Sequence, residues 1–373
     1  MTVSAFVYRR LPRARRVTSR STLPSLAVFV LAAGCGGDKI TSTPAASIAE
    51  FEQRLEEMRA SSHIAAITAV ISKGQDVVWV KPYGLADVAQ QRPATETTVY
   101  HLASLTKPLA ATVLLQLVQE GKVSLDDPVS MYGVNLTSPA GTTIRVRHLL
   151  SHTSEGVPGT HYAYNGDRFA LLENVIVQAA GKSFAAALQE RIIVPLGLQR
   201  TAPNPQSAAF AVSGFDKATY EANMARGYSY SGSYNLTPYP TLFGAAAGLT
   251  SSALDYAAFS MAMDRDALLQ PATKALAYTP VVSPSGETFP YGLGWFSTMY
   301  RGVRVIWHYG LWTANSSLIV KVPDRGVTFV VLANSDALSS PYQLGPGRLE
   351  TSPWARLFLD TFVIGNLSLP TAP

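Results

Sequence analysis

The sequence predicts an α/β chain of the α+β kind: a mainly antiparallel sheet flanked by helices, with a helical region inserted between the two halves of the sheet. Three observations carry that expectation. Strand-like runs gather in two groups far apart, at 64–82 and 294–333. Helices and long loops fill much of the stretch between them, and an apolar-faced helix brackets each end. The chain has 373 residues, 47% hydrophobic and only 15% charged, which suits one large domain or two intertwined ones and excludes a disordered chain.

Each element has a local cause. Ser47-x-x-Glu50 is a capping-box pattern, and Ile48, Phe51, Leu55 and Met58 continue it at helical spacing. Runs 64–72 and 76–82, joined by Lys73-Gly74-Gln75, read as a hairpin that opens the sheet. Leu109, Val113, Leu114 and Leu117 make the buried stripe of a helix that Gly121 stops, and Pro108 falls early enough to be tolerated. A middle section of helix and long loops runs to about residue 244, with 169–180 its clearest helix and Gly181 the stop. After a helix at 253–263, runs 294–300, 303–307, 316–322 and 327–333 supply the remaining strands. A last helix at 354–363 carries Trp354, Leu357, Phe358 and Phe362 on one face. No internal repeat is visible. The domain therefore spans 47–365, with an α/β part at 47–125 and 245–365 and a helical part at 126–244.

The formal charge of +5 comes from the first 34 residues, where Arg9, Arg10, Arg13, Arg15, Arg16 and Arg20 occur without an acid; removing these six leaves −1. No basic surface remains for nucleic acid. The arginines precede the apolar run 23–34, the order of a signal peptide at 1–34, and the run is too short to span a bilayer as a helix. Cys35 is the sole cysteine, so no intramolecular disulfide forms. Leu31-Ala-Ala-Gly-Cys35 resembles the bacterial lipobox, which implies export to the periplasm or outer surface and a membrane anchor through lipidated Cys35. Residues 35–46 then form a tether; an ordinary signal with a chance cysteine is the alternative.

The chemistry starts at His101-Leu-Ala-Ser-Leu-Thr-Lys-Pro108, where Ser104 and Lys107 stand three residues apart at the start of a buried helix. Residues i and i+3 share a helix face, so the amine reaches the hydroxyl. A serine becomes a nucleophile when a neighbouring base takes its proton, and a desolvated lysine is such a base. The helix start adds unpaired N–H groups and the positive dipole end, both favourable to an oxyanion. The reaction class is acyl transfer through a serine ester, without a cofactor or metal. Such a pair needs a proton donor for the leaving group and a second oxyanion N–H. Tyr164, just before the helix at 169, and His308-Tyr309-Gly310, where the strand ending at Trp307 is expected to turn, are the candidates.

Other stretches belong with these: Leu117-Val-Gln-Glu-Gly-Lys-Val-Ser-Leu-Asp-Asp-Pro128, Ile144-Arg-Val-Arg-His-Leu-Leu-Ser-His-Thr-Ser154, Ala246-Ala-Gly-Leu-Thr-Ser-Ser252 and Tyr291-Gly-Leu-Gly-Trp295. With the Ser104–Lys107 pair they resemble the serine β-lactamase-like and penicillin-binding-protein-like hydrolases, which include class C β-lactamases, D,D-carboxypeptidases and family VIII carboxylesterases. The resemblance covers nearly all of 47–365 and implies that family's fold. It implies that Ser104 is the acylated nucleophile and Lys107 its base, and that Tyr164 carries the proton to the leaving group and later helps activate water. It also implies an oxyanion hole from the backbone N–H groups of Ser104 and Leu311, with His308 and Gly310 as the third motif. To act near neutrality, Lys107 must have its pKa drawn down from the usual 10.4 or so by about three pH units.

The departures are as informative. The family's second motif is commonly Tyr-x-Asn, and this chain contains none; Tyr164-Asn165-Gly166 puts glycine where the asparagine would hold a substrate amide. That tilts the expectation from β-lactams and peptides toward esters. Tyr162 is a rival for the tyrosine, and Ser233-Tyr-Asn235, similar to another form of the motif, comes too late and reads as a loop. At Ala314-Asn315 the family's Gly-Phe is absent.

No Gly-x-Ser-x-Gly elbow exists. His148 and His152 are spaced i, i+4 but lack the glutamate of a zincin, so they read as helix packing and capping. Gly181-Lys-Ser183 is a helix stop, and the tyrosine-rich 228–239 is either a cleft wall or a packed loop. The leading expectation is an exported, esterase-like serine hydrolase acting on a small-molecule ester, amide or peptide. The alternatives are a D,D-carboxypeptidase or β-lactamase, and a catalytically silent binding lipoprotein of the same fold.

Overall fold

Helix α1 (Ile48–Ser61) begins as its capping pattern requires, with Ser47 Oγ accepting the Glu50 N–H at 3.1 Å. The reciprocal bond differs: Glu50 Oε2 accepts from the N–H of Ala46 at 2.6 Å, one residue outside the expected partner. The computed structural model describes residues 45–370, so the signal peptide, Cys35 and all but the end of the tether lie outside the described residues.

The strands, in chain order, are β1 (Ala66–Lys73), β2 (Asp76–Asp87), β3 (Arg92–Pro93), β4 (Val99–His101), β5 (Ala202–Pro203), β6 (Tyr228–Tyr230), β7 (Tyr234–Leu236), β8 (Leu249–Ser252), β9 (Phe296–Tyr300), β10 (Val303–Trp312), β11 (Asn315–Val322) and β12 (Val327–Ala333). Seven form the main sheet in the order β3-β2-β1-β12-β11-β10-β9, antiparallel throughout. The two halves join where β1 meets β12, with Ile67 opposite Ala333 and Lys73 opposite Val327. A smaller sheet runs β4-β8-β5, and β6 and β7 make a hairpin.

Both faces of the main sheet are covered, which explains why β11 and β12 are buried at every residue. The period-2 alternation sorts each strand. Ile67, Ala69, Ile71, Phe329 and Val331 face α1 and the terminal helix Pro353–Phe358, where Phe51 meets Trp79, Phe329 and Phe362 edge-on. Val70, Ile306, Ile319, Val330 and Leu332 face the other core, built around α2 (Thr106–Gln119) and the helix Ala253–Asp264. Helix α2 exceeds the expected stripe: Ala110, Ala111, Thr112 and Leu115 are buried as well. A helix apolar on all sides belongs inside, and Lys107 is carried in with it.

Between α2 and β8 short helices alternate with loops and the short strands β5, β6 and β7. The short α3 (Val146–Leu150) is followed by α4 (Gly166–Ala170) and α5 (Leu172–Ala180). The single helix expected at 169–180 is thus divided at Leu171, where the Leu171 N–H bonds back to Arg168 rather than one residue further. Gly181 ends α5 in the left-handed region at φ 68°. Among the described residues no helix is long and apolar enough to cross a membrane.

Candidate active site

Strand β4 delivers the chain to a single tight turn, Ala103–Leu105, that precedes α2. Ala103 sits at φ 49°, a left-handed conformation that costs a residue with a Cβ on the order of 1 kcal/mol or more. The surroundings hold it there. Ser317 Oγ donates to Leu102 O at 2.7 Å, Thr106 Oγ1 to Ala103 O at 2.8 Å, and Tyr256 Oη to Leu105 O at 2.9 Å. His101 Nδ1 accepts the Ala103 N–H at 3.2 Å, and the Leu102 N–H reaches Leu249 O on β8 at 2.9 Å. Ser104 stands on this braced turn, partly exposed.

Lys107, 1% exposed, lies one turn on, with Nζ 2.9 Å from Ser104 Oγ and donating to Ala246 O at 2.9 Å. Burial pushes its pKa down to about 7, with Asp167 opposing. Near neutrality much of it is therefore free amine, within hydrogen-bonding distance of the serine hydroxyl. The rings of Tyr164 and Phe169 wall it off, with centroids 5.2 and 5.5 Å from Nζ.

Tyr164 comes immediately before α4. Its buried hydroxyl has no hydrogen-bond partner among the described residues. Ser104 is near enough to favour its ionised form, against the burial and the Tyr309 phenol that hold its pKa well above 10. Tyr162 is committed elsewhere, donating to Gly345 O at 2.9 Å. Of the two rivals, Tyr164 is the one over the lysine. A Cβ on Gly166 would sit 3.8 Å from Lys107 Nζ, an ordinary contact distance, so a side chain could start there.

His308-Tyr309-Gly310 lies within a strand, which corrects the expectation of a turn after Trp307. Strand β10 continues to Trp312, paired with Asn315, and the chain reverses at Thr313-Ala314, Ala314 having φ 58°. Pairing of residues 308–312 with β11 keeps the strand going, and alternation turns His308 toward the α2 side. Gly310 is required there: a Cβ would come 2.2 Å from both Leu102 O and Ser317 Oγ. Its absence lets the Gly310–Leu311 segment lie against the serine turn. His308 Nδ1 donates to Tyr309 O at 2.8 Å and Nε2 accepts from Tyr291 Oη at 2.9 Å, and burial holds the ring neutral.

The set-aside residues serve the backbone. His148 Nδ1 accepts the Arg145 N–H at 3.0 Å, and His152 Nδ1 accepts the Asn165 N–H at 3.1 Å. Asn235 bonds within its own exposed hairpin, to Ser231 and Ser233. Of the tyrosine-rich segment, Tyr239 stacks on His101 behind the serine turn, centroids 5.5 Å apart. Sequence reasoning gave no individual role to Ser317, Thr106, Tyr256 or Ala246. Their contribution is a hydroxyl or carbonyl brought from 100 or more residues away, for which no local pattern exists, Thr106 excepted.

A Beta-lactamase family model matches residues 51–348, most of the chain. The protein belongs to the beta-lactamase family. This is a family of serine hydrolases with penicillin-binding proteins and an esterase among its relatives. The chain is 25% identical to penicillin-binding protein 4* of Bacillus subtilis over 333 residues, covering 76% of this chain and 71% of that one. It is 34% identical to esterase EstB of Burkholderia gladioli over 110 residues, which is 28% of this chain and 27% of the esterase. The fold matches the octameric penicillin-binding protein homologue of Pyrococcus abyssi with a TM-score of 0.70 at 24% identity, over 84% of this chain and 78% of that one.

Proposed function

We propose that this protein is a serine hydrolase that works through an ester of Ser104 and prefers carboxylic esters to amides. The observation that carries the reading is the 2.9 Å approach of Lys107 Nζ to Ser104 Oγ in a site dry enough to bring the lysine to about 7. The free amine takes the hydroxyl proton as Oγ attacks the ester carbonyl. The N–H groups of Ser104 and Leu311 receive the oxyanion. Tyr164, its hydroxyl uncommitted, passes a proton to the departing alkoxide and is recharged from the Lys107 ammonium. Water then attacks the acyl-serine by the reverse route, giving acid and free Ser104.

One feature supports esters: Gly166 offers no side chain to hold a substrate amide. The penicillin-binding relatives favour the second reading, a D,D-peptidase or β-lactamase. The reading also includes export and anchoring through Cys35, supported by the basic and apolar order of residues 1–35. Assay of the purified protein on p-nitrophenyl esters, nitrocefin and a D-Ala-D-Ala peptide tests the preference. Ester kcat/KM should lead by roughly 100-fold. The reverse order establishes the second reading, and no turnover of any substrate by folded protein supports a silent binding protein.

A further inference from the structure

Beneath Tyr164 lies a buried histidine that the mechanism above does not use. His152, 2% exposed, follows α3 in the left-handed region at φ 55°. Its ring is 4.3 Å from that of Tyr164, tilted 35°, and is enclosed by Phe169 at 5.3 Å and Tyr291 at 4.8 Å. Two backbone hydrogen bonds tie it to the same segment. His152 O accepts the Ala163 N–H at 2.9 Å, and Nδ1 accepts the Asn165 N–H at 3.1 Å. Tyr164 is therefore flanked on both sides by residues whose N–H groups end on His152.

That segment needs an anchor. Residues 163–165 belong to no strand, and α4 behind them is only five residues long, too short to hold its own position. The acceptor role fixes the tautomer: Nδ1 carries the lone pair and Nε2 the proton. Among the described residues the Nε2–H is buried without a partner, a cost that an apolar side chain filling the same space would not carry. Burial, together with Lys107 and His308, keeps the ring from taking a second proton, which would abolish the acceptor.

We propose that His152 is the positioning residue for Tyr164, its Nδ1 fixing residues 163–165 in register so that the phenol reaches the leaving group of a Ser104-bound substrate. This rests on Tyr164 being the proton carrier. The structure assigns the effect to the acceptor nitrogen and not to the ring as filler. A small displacement of a proton donor costs on the order of 100-fold in rate. The cost should fall on leaving groups that need a proton and spare those that leave as stable anions.

The test is kcat/KM for a series of esters sharing one acyl group, from p-nitrophenyl through phenyl to ethyl, with fluorophosphonate labelling of Ser104 in parallel. His152→Phe keeps the ring volume and lacks the acceptor. It should label Ser104 at close to the wild-type rate and hold p-nitrophenyl kcat/KM within about fivefold, yet lose roughly 100-fold in kcat/KM on the ethyl ester. His152→Asn, whose Oδ1 takes the place of Nδ1, should restore the shallow wild-type dependence on leaving group. Losses equal across the series in a folded His152→Phe protein, or no recovery in His152→Asn, overturn the proposal. Wild-type protein that neither labels nor cleaves any ester overturns the underlying reading of Ser104, and the positioning role with it, before any variant is made.

Discussion

At the scale of single residues, Lys107 is where stability and function oppose each other. Its amine is buried and drawn down to about 7, whereas in the unfolded chain it titrates at the ordinary value of about 10.5. Between those values the unfolded state holds a proton that the folded state lacks, so this group's contribution to stability improves as pH rises from 7 toward 10. At pH 7 the penalty is roughly 3–5 kcal/mol. Lys107→Met should therefore abolish turnover while stabilising the fold by about 1–3 kcal/mol at pH 7, after the loss of the bond to Ala246 O. The gain should shrink at pH 10, as read by urea unfolding at the two pH values. The tyrosines separate in the same way. Tyr164→Phe should cost at least roughly 100-fold in ethyl-ester kcat/KM, and Tyr162→Phe, which loses only a bond to Gly345 O, less than about tenfold. The Ser104–Lys107 pair was legible because both partners sit on one local helix turn. Ala246 O was not, since a backbone acceptor has no residue type to announce it.

The secondary-structure elements act as brackets that bring distant backbone against the serine turn. Strand β10 approaches through Gly310, and the Tyr164 segment approaches ahead of α4, where Gly166 leaves space beside Lys107. Gly166→Asn should therefore fold with a stability change within about 0.5 kcal/mol. It should raise amide turnover relative to ester turnover, measured as the ratio of kcat/KM for an anilide and the matching phenyl ester. An unchanged ratio would separate Gly166 from substrate choice. Element type was legible from periodicity, with less success at the ends. The helix expected at 169–180 divides at Leu171, which no glycine or proline marks. Strand β10 outruns its apolar alternation because pairing with β11, and not composition, carries it through His308 and Gly310.

Over the whole molecule, strands from the two ends of the sequence share one sheet, and the helical middle is held against it. The grouping of strands at both ends was legible. The neighbour order was not, because a period-2 pattern names the buried face and not the partner strand. Asn334 closes the seam after β12. Its Oδ1 accepts the Ala66 N–H at 2.7 Å, Nδ2 donates to Leu85 O at 3.3 Å, and its carbonyl accepts the Tyr228 N–H at 2.9 Å. Asn334→Ala leaves the buried Ala66 N–H without that acceptor, and unfolding free energy should fall by about 1–3 kcal/mol. A urea midpoint unchanged from wild type would show that the seam does not depend on this side chain.

An activated serine next to a low-pKa lysine is tested most directly by the rate of fluorophosphonate labelling against pH, with the adduct mapped by peptide mass spectrometry. One adduct should form, on Ser104, at a rate rising about tenfold per pH unit below 7 and levelling above it as Lys107 loses its proton. An adduct on another residue, or a rate that climbs only as pH nears 10, would contradict a neutral Lys107 acting on Ser104.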